Sequence, residues 1–221
     1  LTVGVTEDGQ PVPHKLKGSS LAGSPLDYYL ASQGSNGIAA LVGTGPYFTY
    51  TQTNVNYFGS DTFTYYVTPV GQPDLKSELA TVTVKIVAVN DPPSFAFTPG
   101  FIQQGKVITV VEDAPLTNAV IVGTNTMSWG GEPYEPKQSF TFVLTSADRT
   151  FFASQPAINP KTGVLTFRPA LNRTTGGTRV AVYLRDSGGT AYGGINASAA
   201  DEFWIQISPN TLKSVQGLYN G

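Results

Sequence analysis

Apolar and polar residues alternate along much of this chain. In residues 62–68 the order Thr-Phe-Thr-Tyr-Tyr-Val-Thr puts Phe63, Tyr65 and Val67 on one face and the threonines largely on the other, the two-residue period of a half-buried strand. Residues 80–89 do the same with Val82, Val84 and Ile86. The second half repeats the pattern in residues 140–144, 163–167, 180–184 and 203–207. No segment sustains a 3.6-residue apolar period, so no amphipathic helix is expected. Clusters rich in Gly, Pro, Asn and Ser at residues 33–37, 43–46, 159–163, 175–177 and 187–189 read as turns. Short strand signals at a spacing of about 8–12 residues, punctuated in this way, predict an all-β fold built as an antiparallel sandwich.

The pattern breaks at Val89-Asn90-Asp91-Pro92-Pro93. Two prolines cannot donate to a sheet ladder, and Asp91 is pushed to extended backbone by the proline that follows it. A domain boundary is therefore expected here, giving units at residues 1–91 and 92–210 and a tail or linker at 211–221. The two halves also read as divergent copies. Val5-Thr6-Glu7-Asp8-Gly9 near the first start returns as Val110-Val111-Glu112-Asp113-Ala114 near the second, and each half closes with long alternating strands. Tandem β units of this size predict an elongated array.

Composition removes several classes of function. The chain has 221 residues, 13% of them charged, with 24 Gly, 16 Pro, no Cys, one His and a formal net charge of −2. That length accommodates two domains of ordinary size. Without cysteine there are no disulfides, thiol nucleophiles or thiolate metal sites. The balanced charge offers no electrostatic footprint for nucleic acid. No run approaches the roughly 18 apolar residues of a membrane helix, and Leu1 opens directly into an alternating segment, so the sequence is expected to be soluble, with any targeting segment or anchor outside it. The lone His14, in Pro-Val-Pro-His, reads as an exposed turn residue. Acidic residues are scattered over turns and strand ends with no pair placed for glycoside hydrolysis, and nucleophile-elbow and phosphate-loop motifs are missing. No enzymatic activity is expected.

Taken in order, these segments resemble the cadherin-like tandem repeats of large surface proteins and adhesins. The resemblance rests in the first half on Thr6-Glu7-Asp8-Gly9, on residues 57–67 and on residues 80–84 leading into Asn90-Asp91-Pro92-Pro93. In the second half it rests on residues 111–115, 135–142, 163–167 and 184–194. It implies two seven-stranded Greek-key sandwiches arranged end to end, with Ca2+ at the junction. The ligands it implies are Glu7, Asp61, Asn90, Asp91 and Asp186, with Asp61 the looser match. Neither half has the early-loop Asp-x-Asp pair of the calcium-rich members; Gly23-Ser24-Pro25-Leu26 and Gly131-Glu132-Pro133-Tyr134 stand there instead, so one or two ions at most are expected.

The function expected from this reading is a structural or adhesive module of an extracellular surface protein or filament. Its partners would be neighbouring repeats, copies of itself, a surface protein or a glycan, with no insertion into a membrane. Asn172-Arg173-Thr174 and Asn196-Ala197-Ser198 are glycosylation sequons at Asn172 and Asn196, and the tail from Thr211 offers a segment for docking on a neighbour. A second reading, a carbohydrate-binding module, rests on loop aromatics. Among these Trp129, in Ser128-Trp129-Gly130-Gly131, lacks an obvious core role.

Overall fold

In a computed structural model, which describes residues 1–210, every strong alternating run is a strand with the expected face inward. The tail, residues 211–221, lies outside the described residues. The chain divides into two compact units. The first comprises Leu1–Val89 with Gly131–Pro136 and Ala191–Gly193; the second comprises Asn90–Gly130, Lys137–Thr190 and the residues from Gly194 on. The division at Val89 falls beside the Asn90-Asp91-Pro92-Pro93 break.

Unit 1 contains β1 (Thr2–Thr6), β2 (His14–Lys15), β3 (Leu26–Ser32), β4 (Gly37–Leu41), β5 (Tyr47–Gln52), β6 (Gly59–Pro69) and β7 (Ala80–Val87). One sheet has the order β1-β7-β6-β3 and the other β2-β5-β4. Phe63, Tyr65 and Val67 of β6 and Val82, Val84 and Ile86 of β7 point between the sheets, where they meet Leu16, Ala39, Phe48 and Tyr50. Phe48 and Phe63 touch edge to face at 5.0 Å, an arrangement that adds to the area both rings bury.

In unit 2 a short helix, α1 (Pro99–Gln103), precedes β8 (Val107–Val111), β9 (Thr117–Val120), β10 (Thr141–Ser146), β11 (Phe152–Ile158), β12 (Val164–Pro169), β13 (Gly176–Arg185) and β14 (Asp201–Ser208). Its sheets run β10-β13-β14-β8 and β11-β12-β9. Replacing β8 to β14 by β1 to β7 reproduces the order of unit 1, so the internal repeat read from two short motifs extends to the whole topology. The core gathers Leu165, Phe167, Val180, Val182, Leu184, Phe203 and Ile205 around Phe97, Phe101 and Phe151.

Three details differ from the sequence reading. The first and last strands of each unit pair in parallel, β1 with β7 and β8 with β14, inside otherwise antiparallel sheets. Helix α1 is one turn long, too short to show a period; Pro99 sits in its first turn and Phe101 is its buried residue. Gly176 and Gly177, read as part of a turn, begin β13.

Candidate functional site

The Val-Thr-Glu-Asp and Val-Val-Glu-Asp copies end the first strand of each unit in the same way. Asp8 and Asp113 both turn the chain with left-handed backbone, φ 53° and 57°, a conformation that Asp tolerates better than most residues. The glutamate before each is buried, Glu7 at 1% exposure and Glu112 at 8%. Each glutamate N–H donates to the end of the parallel partner strand, Glu7 to the Val87 carbonyl at 3.0 Å and Glu112 to Ser208 at 2.9 Å. Glu7 Oε1 also accepts the Val89 N–H at 2.5 Å. Thus a buried carboxylate fastens the chain leaving β7 to the end of β1.

Asp61, also in unit 1, has a different setting. It lies at the start of β6, 5% exposed. Its Oδ1 accepts the N–H groups of Ser35 and Thr62, both at 2.9 Å. Its Oδ2 accepts the Asn36 N–H at 2.8 Å and the Tyr50 hydroxyl at 2.5 Å. Burial pushes the Asp61 pKa up, but the hydrogen bonds from Tyr50, Asn36, Ser35 and Thr62 together outweigh it and hold the carboxyl below the usual range. Tyr50 moves upward, by burial first and then by its bond to Asp61, so its phenol stays protonated. The loop between β3 and β4 can wrap this closely only because residue 34 is glycine: a Cβ there would stand 2.1 Å from Asp61 Oδ2.

In unit 2 the structure brings together Asn90 and Asp186, separated by 96 residues. Asn90 Nδ2 donates to both Asp186 oxygens, at 3.1 and 3.3 Å, and to the Ile195 carbonyl at 2.8 Å, while its Oδ1 accepts Gln138 Nε2 at 2.7 Å. Asp186 Oδ1 also accepts the Gly188 N–H at 3.0 Å. A Cβ at Gly188 would lie 1.6 Å from Asn90 Oδ1, so only glycine fits there. Asp91, the next residue, is half-buried.

These oxygens are of the hard type that Ca2+ takes, six to eight at a time. Here they accept N–H donors, and among the described residues no three His, Cys, Asp or Glu side chains gather closely enough to hold a metal ion. Glu135, a further buried carboxylate at 7% exposure, follows the Gly131-Glu132-Pro133-Tyr134 segment. The sequence reading holds Glu135 within the 135–142 stretch of the resemblance but not among the implied ligands, because a lone glutamate in a loop carries no periodic signal.

Two sequence readings of single residues change. His14 is not in an exposed turn: it sits on β2, half-buried, with its ring 5.6 Å from Phe48. Trp129 is half-buried too, its ring 6.3 Å from Phe140 and its Nε1 closed off from solvent. It thus packs within unit 2, which supplies the structural role its loop position hid.

Comparison with known proteins now bears on this geometry. The family described as bacterial Ig domain matches residues 2–87, which is unit 1. Human protocadherin-24 EC1-2 matches in two crystal forms, with TM-scores of 0.56 and 0.55, 13% identity, and coverage of 95% of this chain and 94% of that one. The chain has the fold of a tandem cadherin-like pair. At this identity the likeness is one of fold. No curated protein sequence matches the chain. Among the described residues no helix is long and apolar enough to cross a membrane. Asp61 and Asp186 are each hydrogen-bonded within their own unit.

Proposed function

We propose that this chain is a non-enzymatic, load-bearing segment of an extracellular surface protein or filament. The observation that carries the reading is the parallel pairing of terminal strands. Tension enters unit 1 at the start of its first strand and leaves at the end of its last, whereas in unit 2 it meets residues 90–106, bridged at Ser94 and Phe97, before it reaches β8. Because β1 and β7 run the same way and are hydrogen-bonded over five residue pairs from Thr2↔Thr83 to Thr6↔Val87, that tension pulls them in opposite directions along their length. The bonds are loaded together in shear instead of opening one by one. The pair β8 and β14, from Trp204↔Val107 to Ser208↔Val111, repeats the device. A fold shared with a cadherin ectodomain pair agrees with such a role, and mechanical unfolding of the intact chain tests it.

Calcium is a finer part of the proposal. Asn90, Asp91 and Asp186 in unit 2, and Glu7 and Asp61 in unit 1, supply carboxylate and amide oxygens, and Asn90 would present Oδ1 to a cation by turning its amide over. A ligand that binds only the folded state stabilises by RT ln(1 + [L]/Kd), about 2.7 kcal/mol at a hundredfold excess over Kd. Thermal melting in millimolar Ca2+ and then in excess chelator should give a clearly higher Tm with calcium, and D186N should remove the difference. An unchanged Tm would reject calcium and leave the load-bearing reading standing. Asn172, exposed in the turn after β12, is the better placed of the two glycan acceptors, since Asn196 is half-buried and its carbonyl accepts the Asp186 N–H at 3.2 Å.

A further inference from the structure

We propose that unit 1 binds an anionic saccharide in the cavity beside β2. The cavity has a volume of about 530 Å3 and is lined by Lys15, Leu16, Lys17, Gly18, Tyr28 and Pro46, within the usual range of small-ligand sites. Its wall is firmly set. Leu16 is 1% exposed, and its N–H donates to the Pro46 carbonyl at 2.7 Å. The Tyr65 hydroxyl donates to the Lys17 carbonyl at 2.7 Å and accepts the Lys17 N–H at 3.2 Å. With the backbone pinned and Leu16 turned into the core, the flanking side chains Lys15 and Lys17 are left outside, and both are exposed.

Neither ammonium has a carboxylate partner: the ion pairs among the described residues join Lys106 to Asp201, Arg173 to Asp148 and Arg179 to Glu202. Tyr28 also lines the cavity. Its hydroxyl has no hydrogen-bond partner among the described residues, and it comes close to the loop because residue 18 is glycine; a Cβ there would lie 2.9 Å from that oxygen. Burial first, and the neighbouring Tyr65 second, raise the Tyr28 pKa, so the phenol is a donor at neutral pH.

The cavity therefore offers positive charge for an acid group and, from a ring stacked on Tyr65, a phenol free to bond a sugar hydroxyl. Carboxylates and sulfate esters are alike in carrying negative charge, and the experiment separates them. It is affinity electrophoresis of the intact protein in gels containing polygalacturonate, dextran sulfate, neutral dextran or polyglutamate. Retardation by polygalacturonate, by dextran sulfate or by both, weakening with salt and absent with dextran, supports the site and identifies the acid group. The K15A/K17A double variant should bind at least tenfold more weakly and Y28F several-fold more weakly, with circular dichroism unchanged because both lysines are exposed. Retardation by neither acidic polysaccharide overturns the proposal, as does equal retardation by polyglutamate, which would mark an acidic-peptide surface, or undiminished binding of K15A/K17A. None of these outcomes bears on the load-bearing role, which rests on other strands.

Discussion

Asp61 shows how a single acid acts when buried. Four donors surround its carboxylate, and their combined effect favours the ionised form in the folded state. A carboxyl whose folded pKa lies below its unfolded value, about 3.9, contributes stability that is fully present above that value. The contribution disappears as pH falls through the folded pKa. D61N should therefore melt well below the wild type at pH 7, and the gap between their melting temperatures should begin to narrow below about pH 4 and shrink further as pH falls through the folded pKa; a gap independent of pH would contradict this account. Y50F, which removes one hydrogen bond to a charged acceptor, should cost about 1.5–3 kcal/mol at pH 7. The sequence reading named Asp61 as a loop acid and a looser match to the implied calcium ligands, but not what it holds. Its partners, Ser35, Asn36 and Tyr50, come from other segments, and no local pattern encodes which loop will fold over which strand. Asn90 and Asp186 were both named from sequence, yet their contact joins residues 96 apart, and Gln138, which completes it, lies in a stretch that carries the resemblance without being named as a site residue.

At the level of elements, strands were most readable where one face is buried. Residues 62–68, 80–89, 180–184 and 203–207 alternate cleanly because their sheets face a core on one side and solvent on the other. β2, two residues long, left no period to read, so His14 was misplaced in a turn. The parallel pairing of β1 with β7 was also invisible, since register and direction depend on how the chain returns through the whole unit. That pairing yields its own prediction. The Thr83 N–H donates to Leu1 O at 2.7 Å and the Glu7 N–H to Val87 O at 3.0 Å. Alternate residues of a parallel strand share a partner strand, so the bonding continues through Val3 and Val5. V5P removes a donor from the middle of this pair, at a cost of about 1 kcal/mol or more. It should lower the force at which unit 1 unfolds while leaving unit 2 as it was; equal forces before and after would show that β1 bears no load.

The whole chain carries one topology twice, with the same strand order, the same buried glutamate after the first strand and the same left-handed aspartate beyond it. Repetition at that depth is what the two short sequence copies hinted at. The most direct test of the load-bearing account is to pull single molecules by their two ends. Two separate unfolding events are expected, each at a force well above that needed to unzip a hairpin. At roughly 3.3–3.6 Å per extended residue, the 89 residues from Leu1 to Val89 should release about 30 nm of contour, less the small folded length, and unit 2 somewhat more. Gradual extension at low force without resolved events would contradict the claim that these units are built to resist tension.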